Sequence, residues 1–252
     1  FFNYLINATD AGLPALKVHT SVINMVTRPG SYTWLQEQID SLTGSNPVLT
    51  LDQNITFNAT YDLHQDNPYK QKGIDFTNGM LYNKTFTLNG NGYTISGDNK
   101  ARIFIISVSN IRIENTTFTN ASSSASGGAF YINSGVSNVN ITGCIFENSV
   151  ASVYGGAIYH NGNGNNIKIE NTSFDANSAY GGGAIQFYAT SSQTYNNIDI
   201  IGCNFTNNMD LASNEWGGSA ISMNQATDVS IVDSKFDSNV AKSNGAVLLD
   251  YD

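Results

Sequence analysis

The chain has 252 residues, with 20 Asp and Glu against 11 Lys and Arg, a formal charge of −9 and a pI near 4.6. That balance opposes the phosphate neutralisation on which nucleic-acid binding depends. Hydrophobic residues make up 40%, too many and too evenly spread for a disordered chain, and no apolar run approaches the roughly 18 residues of a membrane span. Asn occurs 34 times and Gly 23 times, a bias that means many turns and suits one large all-β domain.

In chain order, residues 1–30 lie outside the pattern that fills the rest of the sequence, and their role is unclear. The chain begins at Phe1 rather than Met and ends in residues that read as a strand, so it is expected to be a piece of a longer protein. S-Y-T-W-L-Q-E-Q-I-D-S-L at 31–42 predicts an amphipathic helix with Thr33 as N-cap, Gln36 at the capping-box position, and Leu35, Ile39 and Leu42 on one face. V-L-T-L at 48–51 opens a first, distorted coil. Residues 58–85, with Tyr61, His64, Pro68 and Tyr69, break the period and read as an excursion from it. F-T-L-N-G-N-G-Y-T-I at 86–95, with A-R-I-F-I-I at 101–106, forms the next coil.

Five copies of one pattern follow: I-R-I-E-N-T-T-F from 111, V-N-I-T-G-C-I-F from 139, I-K-I-E-N-T-S-F from 167, I-D-I-I-G-C-N-F from 198 and V-S-I-V-D-S-K-F from 229. The closing Phe residues, Phe118, Phe146, Phe174, Phe205 and Phe236, are spaced 28, 28, 31 and 31 apart, and each is followed by an Asn: Asn120, Asn148, Asn177, Asn207 and Asn239. A second short run recurs in every copy as G-G-A-F-Y-I from 127, G-G-A-I-Y-H from 155, G-G-A-I-Q-F from 182, G-S-A-I-S-M from 218 and N-G-A-V-L-L from 244. Apolar residues alternate within each run, the period of a strand with one buried face. Three residues before each Phe stands Asn115, Gly143, Asn171, Gly202 or Asp233, types that tolerate a left-handed backbone, so one corner recurs in every copy.

Short strands, fixed corners and a period near 30 predict a parallel β-helix of about seven coils spanning 31–252, with the helix at 31–42 closing its N-terminal end. Ile111, Val139, Ile167, Ile198 and Val229 are expected to form one interior ladder, Ile113, Ile141, Ile169, Ile200 and Ile231 a second, and the five Phe an aromatic stack. At the C-terminal end no cap is legible, and Ile201 and Val232 replace the outward polar residues of earlier coils, which predicts contact with another part of the chain, a partner or a second copy.

Cys144 and Cys203 fall on one ladder with Thr116, Thr172 and Ser234, two coils apart and too distant for a disulfide, so both are expected as buried free thiols. His160 takes the place held by Ile132, Phe187, Met223 and Leu249, either as a tolerated interior histidine or as a general base. No cofactor or metal spacing and no paired carboxylates stand on the regular faces, and no residue is nominated as catalytic. In the G-G-A strands the alternation puts Ala129, Ala157, Ala184, Ala220 and Ala246 outward, followed on the same flat face by Tyr131, Tyr159, Gln186, Ser222 and Leu248. Tyr131, Tyr159 and Gln186 are therefore the candidate ligand contacts, the tyrosines stacking on sugar rings, anchoring a protein, or merely shielding strand edges. Nine N-x-[ST] sequons occur, of which Asn58 and Asn83 are the candidates for glycosylation.

L-N-G-N-G-Y-T-I-S-G at 88–97, the following A-R-I-F-I-I, and the repeated G-G-A-I and F-x-x-N resemble the adhesin-like surface proteins of methanogenic archaea, and the last two motifs are also similar to those of chlamydial polymorphic outer-membrane proteins. The resemblance covers about 31–252 and implies a right-handed coil, secretion, a place on the cell surface, and adhesion to a glycan or protein on a partner cell without a cofactor. Two other readings of the same scaffold are a polysaccharide lyase or glycoside hydrolase and a self-assembling surface-layer or filament subunit.

Overall fold

A computed structural model describes residues 29–60, 62–64, 67–68, 73–76, 81, 83–190, 192–212, 217–242 and 244–250. Residues 1–28, together with Tyr61 and Tyr69 of the expected excursion, lie outside the described residues. The chain winds as a parallel β-solenoid. One full turn runs through strands Ile111–Glu114, Thr117–Thr119, Ser122–Ser123 and Phe130–Ile132, and each strand pairs in parallel with its counterpart in the next turn. Three sheets of seven strands and a short sheet of four result. Seven strands stack in each long sheet, in keeping with the expected coils, and make about six turns of the solenoid. The short third sheet, built by Ser122–Ser123, Val150–Ala151, Ser178–Ala179 and Met209–Asp210, was not legible in the sequence.

Register stacks like on like. Ile111, Val139, Ile167 and Ile198 pair in sequence with Val229, and Ile113, Ile141, Ile169 and Ile200 with Ile231. The Phe rings stack at centroid distances of 4.8, 5.0, 4.8 and 4.9 Å. All but the last member of each ladder are buried, whereas Val229, Ile231 and Phe236 are half-buried and Leu249 is 58% exposed, since no described turn lies beyond them. Val232 is exposed and Ile201 half-buried.

At the other end helix α1, Tyr32–Asp40, buries Tyr32, Leu35 and Ile39 and packs on the strands Ile55–Thr56 and Ile74–Asp75. The N-cap is Ser31, not the expected Thr33: its side chain accepts from Trp34 N at 3.1 Å. The helix starts earlier because a distant carboxylate meets it, Asp62 accepting from Thr33 N at 3.0 Å, Thr33 Oγ1 at 2.8 Å and Asn58 N at 2.8 Å. Gln36 forms no capping box but clasps Asp75, donating from Nε2 to its carbonyl at 3.0 Å and accepting its N–H at 2.7 Å. Leu42 lies past the helix end and packs partly buried on the core. The excursion expected over 58–85 is interrupted, because Ile74–Asp75 pairs with Phe104–Ile106 as the first strand of the fourth sheet.

The corners explain the repeat. Asn115, Gly143, Asn171, Gly202 and Asp233 have φ of +51°, +62°, +49°, +61° and +51°. The Asn residues after Phe resolve into two ladders. Asn120, Asn148, Ala176, Asn207 and Ser238 are left-handed corners, whereas the next residues, Ser149, Asn177, Asn208 and Asn239, turn inward. Asn177 Oδ1 accepts Ser149 N at 3.1 Å while its Nδ2 donates to Phe146 O and Asn208 Oδ1, both at 3.0 Å. Asn208 repeats this with Asn239. The alanines of the G-G-A runs were expected outward, yet Ala129, Ala157, Ala184 and Ala220 are fully buried and Ala246 half-buried. Each carbonyl accepts two successive amides, as Ala157 O does from Ala129 N at 3.0 Å and Phe130 N at 2.8 Å. The backbone therefore bends at Ala, and the alternation restarts after it.

Candidate functional site

The outward face of five strands of the fourth sheet, Phe130–Ile132, Ile158–Asn161, Ile185–Tyr188, Ile221–Asn224 and Val247–Asp250, carries the predicted contacts Tyr131, Tyr159 and Gln186 in register, followed by Ser222 and Leu248. The face is not flat. The loop that follows the short third sheet lifts Tyr154 over it, so that Tyr159 is 6% and Gln186 2% exposed while Tyr131 stays half-buried. Tyr159 lies 5.2 Å from Tyr131, centroid to centroid, and 6.1 Å from Tyr154, whose ring is 5.6 Å from that of Tyr188 and nearly parallel to it at 12°. Burial raises the Tyr159 phenol above its ordinary range, with the neighbouring Tyr131, Tyr188 and Tyr154 adding to the effect.

This overhang makes a shallow groove, partly open to solvent, lined by Tyr154, Gly181, Gln186, Tyr188, Gly217, Ser222, Asn224 and Leu248. Of the predicted contacts only Gln186 lines it, while Tyr159 backs its aromatic wall and Tyr131 stands outside. Tyr188 was missed although it sits two residues after Gln186 on the same face, where strand alternation places it. Tyr154 belongs to a corner loop, where no period applies. Gly181 gives the wall its close fit, since a Cβ there would stand 2.9 Å from Tyr154 Cδ1.

Polar groups are tied together along the floor. Gln186 Nε2 donates to Phe187 O at 3.1 Å and Asn224 Oδ1 at 2.9 Å, and Asn224 Nδ2 donates to Asp250 Oδ2 at 3.2 Å. Behind Gly217, Asp210 is 5% exposed where the preceding turns carry Ala151 and Ala179. Burial raises its carboxyl above the usual range, partly offset by the N–H of Ala212 at 2.8 Å.

Beyond the groove, the buried guanidinium of Arg102 holds Gly127 O at 2.8 Å and Ser126 O at 2.7 Å and lies 5.2 Å from the Tyr131 ring centroid. Burial pulls its pKa down to about 10. His160 is wholly buried against Phe187 and Tyr195; its Nε2–H donates to Val136 O at 3.1 Å, and Nδ1 has no partner among the described residues. It is remote from solvent and poorly placed to move protons for a bound substrate. Cys144 and Cys203 are free and buried, and burial pushes the Cys144 thiol up to about 12, which removes it as a nucleophile near neutral pH. Asn58 and Asn83 are exposed. Among the described residues no group of three or more His, Cys, Asp or Glu side chains is placed to hold a metal ion, and no helix is long and apolar enough to cross a membrane. Searches of protein-family models, curated proteins and solved structures each find no match to this chain.

Proposed function

We propose that this solenoid is an adhesin-like module of the extracellular cell surface that attaches cells by binding a glycan in the Tyr154–Tyr188 groove. The observation that carries the reading is the joining of an aromatic wall to an amide-rich floor on a rod whose stacked ladders make it stiff without a cofactor. Sugars present an apolar C–H face and a rim of hydroxyls, and such a groove offers a counterpart to each. The motif resemblance noted in the sequence supports the cell-surface setting, in which exposed Asn58 and Asn83 would be glycosylated. For a glycosidase the scaffold would need two carboxyl groups flanking the bound bond, and among the described residues those lining the groove include neither Asp nor Glu. Filament growth by end-to-end stacking would require two open ends, and α1 covers one of them.

A glycan and polysaccharide array read for both retention and product release tests the proposal. Saturable retention without products, lost in Tyr154→Ala/Tyr188→Ala, is the expected result. Released oligosaccharides would establish an enzyme instead.

A further inference from the structure

We infer that the groove selects a neutral pyranose and rejects acidic sugars, a deepening that rests on the glycan-binding reading above. The argument begins with the hydrogen-bonding capacity left over on the floor. Both Nε2 hydrogens of Gln186 are engaged, by Phe187 O and Asn224 Oδ1, so the amide meets a ligand through Oε1, which lies 3.4 Å from where a Cβ on Gly181 would stand. Asn224 spends its Oδ1 on Gln186 and one N–H on Asp250, which leaves its second N–H. The Ser222 hydroxyl adds a group that can both donate and accept. One acceptor, one donor and one ambivalent group side by side match adjacent hydroxyls, each of which donates and accepts in turn.

Shape and charge narrow the class. The Tyr154 and Tyr188 rings stack on each other at 5.6 Å, with Tyr159 against Tyr154, and the half-buried pair supplies the aromatic surface against which the C–H face of a pyranose packs. Leu248 extends the apolar surface at the end of the floor. The groove is shallow and open on one side, so a ligand would lie against it rather than be enclosed by it. Among the described residues no Lys, Arg or His lines the groove, and Asp250 holds a carboxylate beside Asn224. A uronate, sialate or sulfate would enter with no cation to meet it and a negative charge nearby, on a chain of formal charge −9, an arrangement that selects against anions by repulsion as well as by missing contacts.

Titration calorimetry with neutral hexose oligomers (cellohexaose, mannohexaose) beside oligogalacturonate and sialyllactose tests this, using the whole chain, Tyr188→Ala, Asn224→Asp and, as a control on the outer face of the first sheet, Arg112→Ala. Thermal midpoints confirm that each variant is folded. Expected are saturable binding of at least one neutral oligomer, a loss of about tenfold or more in Tyr188→Ala and Asn224→Asp, and unchanged affinity in Arg112→Ala. Tighter binding of an acidic oligomer that depends on Tyr188 would overturn the neutral class and leave the glycan reading standing. Neutral binding untouched by both groove variants would overturn the location. Binding of none of the four sugars would count against the glycan reading itself.

Discussion

His160 is the residue whose chemistry conflicts most openly with its surroundings. Its turn-to-turn neighbours Ile132 and Phe187 show that the position asks for an apolar side chain, and the imidazole meets that demand only while neutral. Burial pulls its pKa down to about 4, slightly opposed by the Val136 carbonyl. In the unfolded chain the ring takes up a proton near its ordinary 6.5, so full stability holds above that pH. Stability then falls as the pH drops from 6.5 to about 4, below which both states are protonated and the loss levels off, at about 3 kcal/mol in all. His160→Met, which copies Met223 two ladder positions further on, should remove this step and add about 1 kcal/mol at pH 7 by eliminating an Nδ1 with no partner among the described residues. Urea unfolding of both proteins at pH 7 and pH 4 measures it; equal losses between the two pH values in parent and variant would refute the account. The sequence placed His160 on its ladder but did not say which role it had, because a ladder position reports direction and not depth.

The repeating turn was readable because its chemistry recurs: β-branched residues inward, Phe at a fixed offset, and Asn, Gly or Asp wherever φ is positive. What escaped the reading was whatever does not recur, or recurs without a distinctive residue type, as in the short third sheet. Two neighbouring ladders were merged into one, because Asn serves equally well as a left-handed corner and as an inward amide, and Asn148 and Asn177 look alike in sequence. Their consequences differ. Asn177→Leu leaves Ser149 N–H and Phe146 C=O without the amide that satisfies them and should cost about 2–4 kcal/mol. Asn148→Gly, at φ +53°, should stay within about 0.5 kcal/mol, since Gly adopts that conformation freely. Denaturant midpoints of the two variants decide the matter, and comparable losses would contradict the division into corner and interior ladders. The start of α1 was misplaced because the carboxylate that meets it, Asp62, comes from about thirty residues away, beyond the reach of a local capping rule. The groove was half legible for a similar reason: its floor follows strand alternation, but its Tyr154 wall hangs from a loop.

At the scale of the whole rod, each turn is supported only by the turns on either side, so stability varies along the axis. Phe174 is sandwiched between Phe146 and Phe205 at 5.0 and 4.8 Å, whereas half-buried Phe236 has a described ring neighbour on one side alone, Phe205 at 4.9 Å. Phe174→Ala should therefore cost about 3–5 kcal/mol, and Phe236→Ala roughly half that. Hydrogen exchange should show protection greatest in the middle turns and weakest in Ala226–Val232 and Val247–Asp250; equal protection throughout would mean the turns open as one unit. The direction of the backbone hydrogen bonds has a mechanical consequence. They run along the rod between successive turns, so a pull on its two ends loads the bonds of one turn at a time and opens them in series rather than shearing a whole sheet at once. A tether built this way yields by paying out chain, one turn of 28 to 31 residues after another, and lengthens under load before it lets go.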